Sequence, residues 1–198
     1  MAVSARMKAG TFTYAEYLTW PEGERWELID GVAYAMVPAP SISHQRASRA
    51  IFHQLFQALE GGPCEVFYAP IDVRLPKSGS SHDEVDTVVQ PDIVVVCDES
   101  KLDDLGCVGA PDLVVEVLSP STALRDRRDK LALYERHRVP EYWILDPANC
   151  TLAVYALGAD GRYGAPTHYD EGRVEVQGLA GVTVDLGLVF PPFEDRKS

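Results

Sequence analysis

Two segments of this chain, Pro91-Asp92-Ile93-Val94-Val95-Val96 and Pro111-Asp112-Leu113-Val114-Val115-Glu116-Val117-Leu118, begin alike and are apolar at nearly every later position. A strand with one face in water alternates apolar and polar residues, so runs without alternation belong to central strands covered on both faces. That requirement fixes the class. The chain must build a sheet with material packed on each side, a mixed α/β (α+β) arrangement.

The flanking patterns supply that material. His44 to Leu59 places Ala47, Ile51, Leu55 and Leu59 four apart on one face, with Phe52 and Phe56 beside them, and Gly61-Gly62-Pro63 ends the helix. Ala123 to Arg138 reads as a second helix, closed before Pro140. Glu65 to Leu75 and Glu141 to Asp146 read as strands, so the order from His44 is α-β-β-β-α-β. Upstream, Thr13 to Trp20 is a short helix capped by Thr11 or Thr13, and Asp30-Gly31 between two apolar runs is a type I′ hairpin turn. Pro76 to Asp86 is a polar surface loop, and Thr151 onward is a β-rich tail on the core.

The 198 residues fit one domain spanning 1–198, 46% hydrophobic and 24% charged. No run approaches the roughly 18 apolar residues of a membrane span, and the N-terminus lacks a signal-peptide core, so a cytoplasmic location is expected. Cys64, Cys97, Cys107 and Cys150 show no zinc-ligand spacing and read as free buried thiols. The net charge of −12 opposes simple phosphate binding; the positive charge that exists is concentrated between Arg125 and Arg138, which would have to face an anionic substrate.

Glu116 is the most informative residue, because a carboxylate inside a buried strand costs several kcal/mol unless it is neutralised, paired or metal-bound. Alternation puts Asp112, Val114, Glu116 and Leu118 on one face. Asp92 opens the preceding apolar strand, and if the strands are neighbours the two carboxylates converge as hard oxygen ligands for Mg2+ or Mn2+. From the residues alone, Pro-Asp can be turn chemistry and Glu116 can pair with an arginine. Lys130 shares a helix face with Tyr134 and His137, either solvated or placed to orient or deprotonate a water and offset phosphate charge. Tyr142 and Trp143 read as core packing rather than base-stacking groups.

WELIDG, the helix near His44, VQPDIVVV, PDLVVEVLSPST and DKLALYERHRVPEYWILDP together resemble the Uma-two family of restriction endonucleases, within the PD-(D/E)XK nuclease superfamily. The similarity runs from about Thr13 to about Phe190. It implies a restriction-endonuclease-like core, an N-terminal β-hairpin, a β-rich C-terminal segment and metal-dependent hydrolysis of DNA. It makes Asp92 and Glu116 the metal-binding carboxylates, Lys130 a lysine displaced onto the next helix because Leu118 stands at the usual lysine position, and Glu27 an additional acidic group near the metal. His44 also matches, as a supporting residue. Glu27 reads equally as a polar hairpin residue, and His44 as a structural histidine.

The sequence thus points to an endonuclease acting with Mg2+ or Mn2+ on DNA, with a homodimer expected through the C-terminal β-segment. The rival readings are an inactive nuclease-like binding module, favoured by the acidic charge and by Leu118, and a metal-dependent hydrolase of small phosphodiesters.

Overall fold

The two apolar runs pair side by side at the middle of one sheet, which is how residues that tolerate no water on either face become buried. The computed structural model describes residues 7–8, 10–21, 23–36, 40–77, 79 and 81–191. The chain opens with β1 (Met7–Lys8), α1 (Tyr14–Tyr17) and the hairpin β2 (Trp26–Ile29) and β3 (Val32–Ala35). Helix α2 (Ile42–Leu59) leads to β4 (Glu65–Tyr68), and β5 (Val73–Arg74) and β6 (Val88–Val89) precede β7 (Ile93–Val96). Next come β8 (Leu102–Asp103), β9 (Gly106–Val108) and β10 (Leu113–Val117). A continuous helix follows, made of α3 (Ala123–Arg125), a π-helical turn (Asp126–Lys130) and α4 (Leu131–Arg136). The rest is β11 (Glu141–Asp146), β12 (Thr151–Ala156), β13 (Thr167–Tyr169), β14 (Arg173–Glu175), β15 (Thr183–Asp185) and α5 (Leu186–Val189).

The central sheet has the order β13-β12-β11-β10-β7-β4. β10 runs antiparallel to β7, with Val115 opposite Ile93, and parallel to β11, with Glu116 opposite Ile144. One face carries Ile93, Val95, Val115 and Trp143, packed against Ala47, Ile51, Leu55 and Leu59 of α2 and against Val174 and Val184 of the β14–β15 hairpin. The other face carries Val94, Val114, Tyr142 and Ile144 and meets Leu133 and Tyr134 of α4 together with Val73 and Val89 of the second sheet. Each buried Val or Leu contributes about 1.5–3 kcal/mol relative to exposure. Tyr142 and Trp143 are fully buried on opposite faces, as core residues.

The second sheet, β1-β3-β2-β6-β5-β9-β8, contains the hairpin. Asp30 and Gly31 have φ of 49° and 77°, the positive pair a type I′ turn needs. In β2, Trp26 and Leu28 point into a small cluster with Tyr14 and Val88, so alternation turns Glu27 and Ile29 toward the central sheet.

The structure departs from the sequence reading at several places. α2 starts at Ile42 because Ser41, not a later residue, caps it by accepting from the His44 amide. Glu65 to Leu75 is not one strand: it splits at Ala69-Pro70 into β4 in the central sheet and β5 in the second, since Pro70 has no N–H for a ladder. The polar loop folds back so that Val85 is buried against Tyr14, while Ser78 and Ser80 within it lie outside the described residues. The tail is part of the core: β12 and β13 extend the central sheet, and β14–β15 covers it. Finally, the reading of four free thiols fails for two of them. Cys64 and Cys97 form a disulfide with Cα atoms 3.9 Å apart, because they flank the paired residues Glu65 and Val96 at the open end of β4 and β7. A separation of 33 residues hides that register in the sequence.

No described helix is long and apolar enough to cross a membrane. The cysteine pairing makes a direct prediction. Alkylation of the denatured, unreduced protein labels Cys107 and Cys150 alone, and Cys64 and Cys97 become labelled only after reduction, as read by peptide mass spectrometry.

Candidate active site

Four elements converge at the end of β10. The register that sets Val115 opposite Ile93 places Asp92 across from Glu116, one residue beyond the end of the ladder on each strand. Asp92 Oδ2 accepts the Val117 amide at 2.8 Å and lies 3.3 Å from Nε2 of His44, which reaches over from the first turn of α2. β2 brings Glu27 in from the second sheet, where its Oε1 accepts the Gln90 amide at 3.0 Å. The helix after β10 supplies Asp126 and Lys130 from the two ends of the π-helical turn. A π turn is wider than an α turn and aligns residues four apart more closely, so both side chains can enter the same site. It is a local departure that recurs at functional sites.

The Lys130 ammonium is the centre of the arrangement. It donates to Glu116 Oε1 at 2.7 Å, pairs with Glu27 Oε1 at 2.7 Å, and lies 3.9 Å from Asp126 Oδ1. Glu116 Oε1 also accepts from the Tyr134 hydroxyl at 3.0 Å. Arg125 Nη1 approaches Glu27 Oε2 at 3.5 Å and its guanidinium lies over the Tyr34 ring at 4.6 Å. Lys130, Glu116, Glu27 and Asp126 are all buried.

Burial sets the electrostatics. It pushes the Glu116 carboxyl well above the ordinary carboxylate range; Lys130 opposes this, while Asp126, Asp92 and Glu27 reinforce it. Burial likewise moves Asp126 up to about 6, against the pull of Lys130. For Lys130 burial disfavours the charge, but Glu116, Glu27 and Asp126 outweigh it and hold the ammonium protonated beyond the usual lysine range. His44 is also raised: burial acts against its charge and the bond to Asp92 overcomes it. The carboxylates outnumber their cationic partners, so the cluster carries an unmet demand for positive charge.

These groups line a cleft of about 460 Å³ between α2, the hairpin and the helix after β10. Asp92, Glu116, Lys130, Glu27 and His44, the residues singled out from the sequence, all lie on it. Leu118 sits in the apolar cluster on the sheet instead, and the ammonium beside Glu116 comes from Lys130. Asp112, on the same strand face as Glu116, is at the far end, accepting the Cys97 amide at 2.8 Å. His137, grouped with Lys130 by helical spacing, faces Arg136 and Asp30 rather than the site. The positive segment does not face the cleft as a whole: Arg127 pairs with Asp146, Arg128 with Asp129 and Arg136 with Asp30, leaving Arg125 and Lys130 as its contributions. Arg125 belongs to the basic segment expected to face the substrate, whereas Asp126 and Gln90 have no individual role in the sequence reading. The i,i+4 spacing of Asp126 and Lys130 was the available signal, masked by the charged run around it.

The donor set fits a hard divalent cation. Among the described residues no three His, Cys, Asp or Glu side chains form a ready-made cage. Mg2+ needs none, since it keeps several waters and takes one or two carboxylates plus substrate oxygens. Glu116 Oε2 and Asp92 Oδ1 accept no hydrogen bond from the described residues, and the excess of carboxylates calls for a cation.

This charge cluster makes two kinds of stability prediction, the first on substitutions. Glu116→Gln keeps an oxygen for Lys130 and Tyr134, and Lys130 keeps Glu27, so unfolding in urea should change by no more than about 1 kcal/mol. Lys130→Met leaves Glu116 without a counter-charge and Glu27 with Arg125 alone, at 3.5 Å, and should cost about 3–5 kcal/mol near neutral pH. The second concerns pH. With Asp126 raised from 3.8 to about 6, the folded state holds a proton that the unfolded chain has released; that contribution is full below the unfolded value and lost as pH rises through about 6. Glu116 acts in the same direction. In chelator, the melting temperature should therefore be higher at about pH 5.5 than at about pH 7.5, and Asp126→Asn should shrink the difference.

Comparison with known proteins identifies the family and the fold. The family model for Uma2, described as "Putative restriction endonuclease", matches residues 14–187. The uncharacterized protein slr1290 of Synechocystis sp. is 28% identical over 178 residues, covering 88% of this chain and 89% of that protein. A crystal structure from Anabaena variabilis, described as a putative nuclease belonging to DUF820, superposes with a TM-score of 0.70 at 19% identity, over 90% of this chain and 97% of the other. At that identity the likeness shows a shared fold. The match over residues 14–187 makes this chain a member of the Uma2 family of putative restriction endonucleases.

Proposed function

We propose that this chain is a divalent-metal-dependent nuclease that hydrolyses DNA phosphodiester bonds, with Asp92, Glu116, Lys130 and Glu27 as its working residues. The observation that carries the proposal is the Lys130 ammonium held 2.7 Å from Glu116, on the strand neighbouring Asp92, in a cleft open to solvent. Asp92 and Glu116 would hold Mg2+ or Mn2+. Such an ion supplies charge stabilisation at a phosphoryl group and favours ionisation of water. DNA as the substrate is supported by membership of a family described as "Putative restriction endonuclease".

The chain's own groups divide the remaining work. An ammonium has three donors, and Glu116 and Glu27 take two from Lys130, which leaves the third for a water or a phosphate oxygen. Because surrounding carboxylates hold its proton, Lys130 orients the water and offsets developing charge rather than accepting a proton. Glu27 fixes the lysine while it is itself fixed by the Gln90 amide and Arg125. His44 and the Val117 amide hold Asp92 at its Oδ2 oxygen, leaving Oδ1 to face a ligand.

The test is cleavage of labelled DNA by the purified protein with Mg2+, Mn2+ or chelator, beside a small chromogenic phosphodiester. Cleavage of DNA should require the ion, and Asp92→Asn or Glu116→Gln should abolish both cleavage and calorimetric Mn2+ binding. Lys130→Arg, which keeps the charge but not its reach, should bind Mn2+ and lose cleavage by roughly a hundredfold. Mn2+ binding without hydrolysis of either substrate would establish the inactive binding module; hydrolysis of the small ester alone would establish the small-molecule hydrolase.

A further inference from the structure

Helix α2 is basic in an acidic protein. Its residues from Ile42 to Leu59 include Arg46, Arg49 and His53 and no aspartate or glutamate, although the whole chain carries a net charge of −12. Arg46 and Arg49 are exposed. The helix also begins at the cleft, where Ser41, His44, Gln45 and Ser48 form part of the lining.

Helical spacing carries that lining outward along one stripe. Ser48 is followed on the same side by Phe52 and Phe56, with Arg49 three residues before Phe52 and seven before Phe56. The rings of Phe52 and Phe56 lie nearly parallel with centroids 6.0 Å apart. Tyr68 at the end of edge strand β4 stands edge-on to Phe52 at 4.9 Å and itself lines the cleft. Tyr68 is 63% exposed and Phe56 51% exposed, so large aromatic surfaces face water without a cover among the described residues. Bare aromatic faces beside guanidinium groups, continuous with a cleft, suit a ligand with both aromatic faces and anionic links.

We infer that the outer stripe of α2, Arg49, Phe52 and Phe56, together with Tyr68 of β4, is a track that binds an unpaired, single-stranded stretch of nucleic acid and leads it into the cleft. The inference rests on the nuclease reading and specifies its substrate. In a duplex the base faces are stacked on one another and cannot cover protein rings, whereas unpaired bases stack on aromatic side chains irrespective of sequence. The stripe itself offers one exposed guanidinium, Arg49, so phosphate attraction along it is modest and stacking must supply the rest. A two-fold contact between copies through this stripe is a poorer occupant, because it would set Arg46 and Arg49 near their own images.

The test measures binding of fluorescein-labelled oligonucleotides in chelator by anisotropy, with one sequence offered single-stranded and as a duplex. The single strand should bind more tightly. Tyr68→Ala and Phe56→Ala should each weaken it about tenfold, with little effect on the duplex, while Tyr68→Phe retains binding because it keeps the ring. Arg49→Gln should lower the slope of log affinity against log salt by about 0.7 for the single strand. Circular dichroism of each variant verifies the fold, which half-exposed positions leave intact. Equal affinity for both forms, unchanged in the ring variants while DNA cleavage persists, would overturn the track and leave the nuclease reading standing. Absence of binding and cleavage on every nucleic acid would overturn both. A dimer in sedimentation that Phe56→Ala dissociates, with oligonucleotide binding unchanged, would identify the stripe as a self-association surface and overturn the track.

Discussion

The buried ammonium of Lys130 is the interaction on which the arrangement of this molecule depends. It is bonded at once to Glu116 on the central sheet and Glu27 on the second sheet, and it belongs to a helix that packs on both. Burying one charge costs several kcal/mol, and burying several is tolerable only where each meets a partner of opposite sign. The consequence is geometric. Displacement of the hairpin, of β10 or of the helix breaks a contact of the ammonium in a dry environment, so the three elements have one mutual position in which Lys130 meets both glutamates. Apolar packing makes the layers adhere, but it tolerates sliding that an ion pair at 2.7 Å does not.

That division explains which parts of the structure could be read from the sequence. The central strands, α2 and the Asp30-Gly31 hairpin follow from patterns confined to a few residues, because apolar periodicity and positive φ are local demands. Glu116 was legible for a related reason: a carboxylate amid Val114, Val115 and Val117 contradicts its surroundings. What the sequence concealed depends on long-range register or on competition between elements. The Cys64–Cys97 pairing needs the alignment of β4 with β7, and the break at Pro70 shows only once two separate sheets compete for the flanking strands. The π-helical turn is the clearest case. Asp126 to Lys130 has an ordinary helical pattern, and the widening is visible only in the structure, where both end residues enter a cleft that other parts of the chain create. The same cause misled the expectation for the basic segment: Arg127, Arg128 and Arg136 have acidic partners near at hand, which local charge counting does not reveal.

The acidic character of the chain takes a different meaning once its distribution is known. Four carboxylates, Glu27, Asp92, Glu116 and Asp126, meet in the cleft, while α2 beside it has none. A net charge of −12 therefore says little about affinity at the place where a ligand would enter. Fields fall off over roughly 8–10 Å at physiological ionic strength, so the local arrangement of a helix and a cleft counts for more than the total.

Placing the lysine on the helix rather than two residues along the strand from Glu116 has a physical consequence of its own. A lysine at position 118 would share the rigid strand with Glu116, and its position would be set by the sheet alone. Lys130 instead sits on a helix joined to that strand by Leu118 to Thr122, and the helix is held down by Leu133 and Tyr134 and by the bond from the Tyr142 hydroxyl to the Asp126 carbonyl at 3.0 Å. The ammonium thus reports the position of the whole helix. Any movement that lifts the helix from the sheet withdraws the cation from Glu116 and Glu27 together and leaves both carboxylates unpaired. The site and the packing of this layer are therefore one cooperative unit: the ammonium is in place only when the helix is docked, and docking is opposed by the carboxylates' own repulsion unless the ammonium arrives with it.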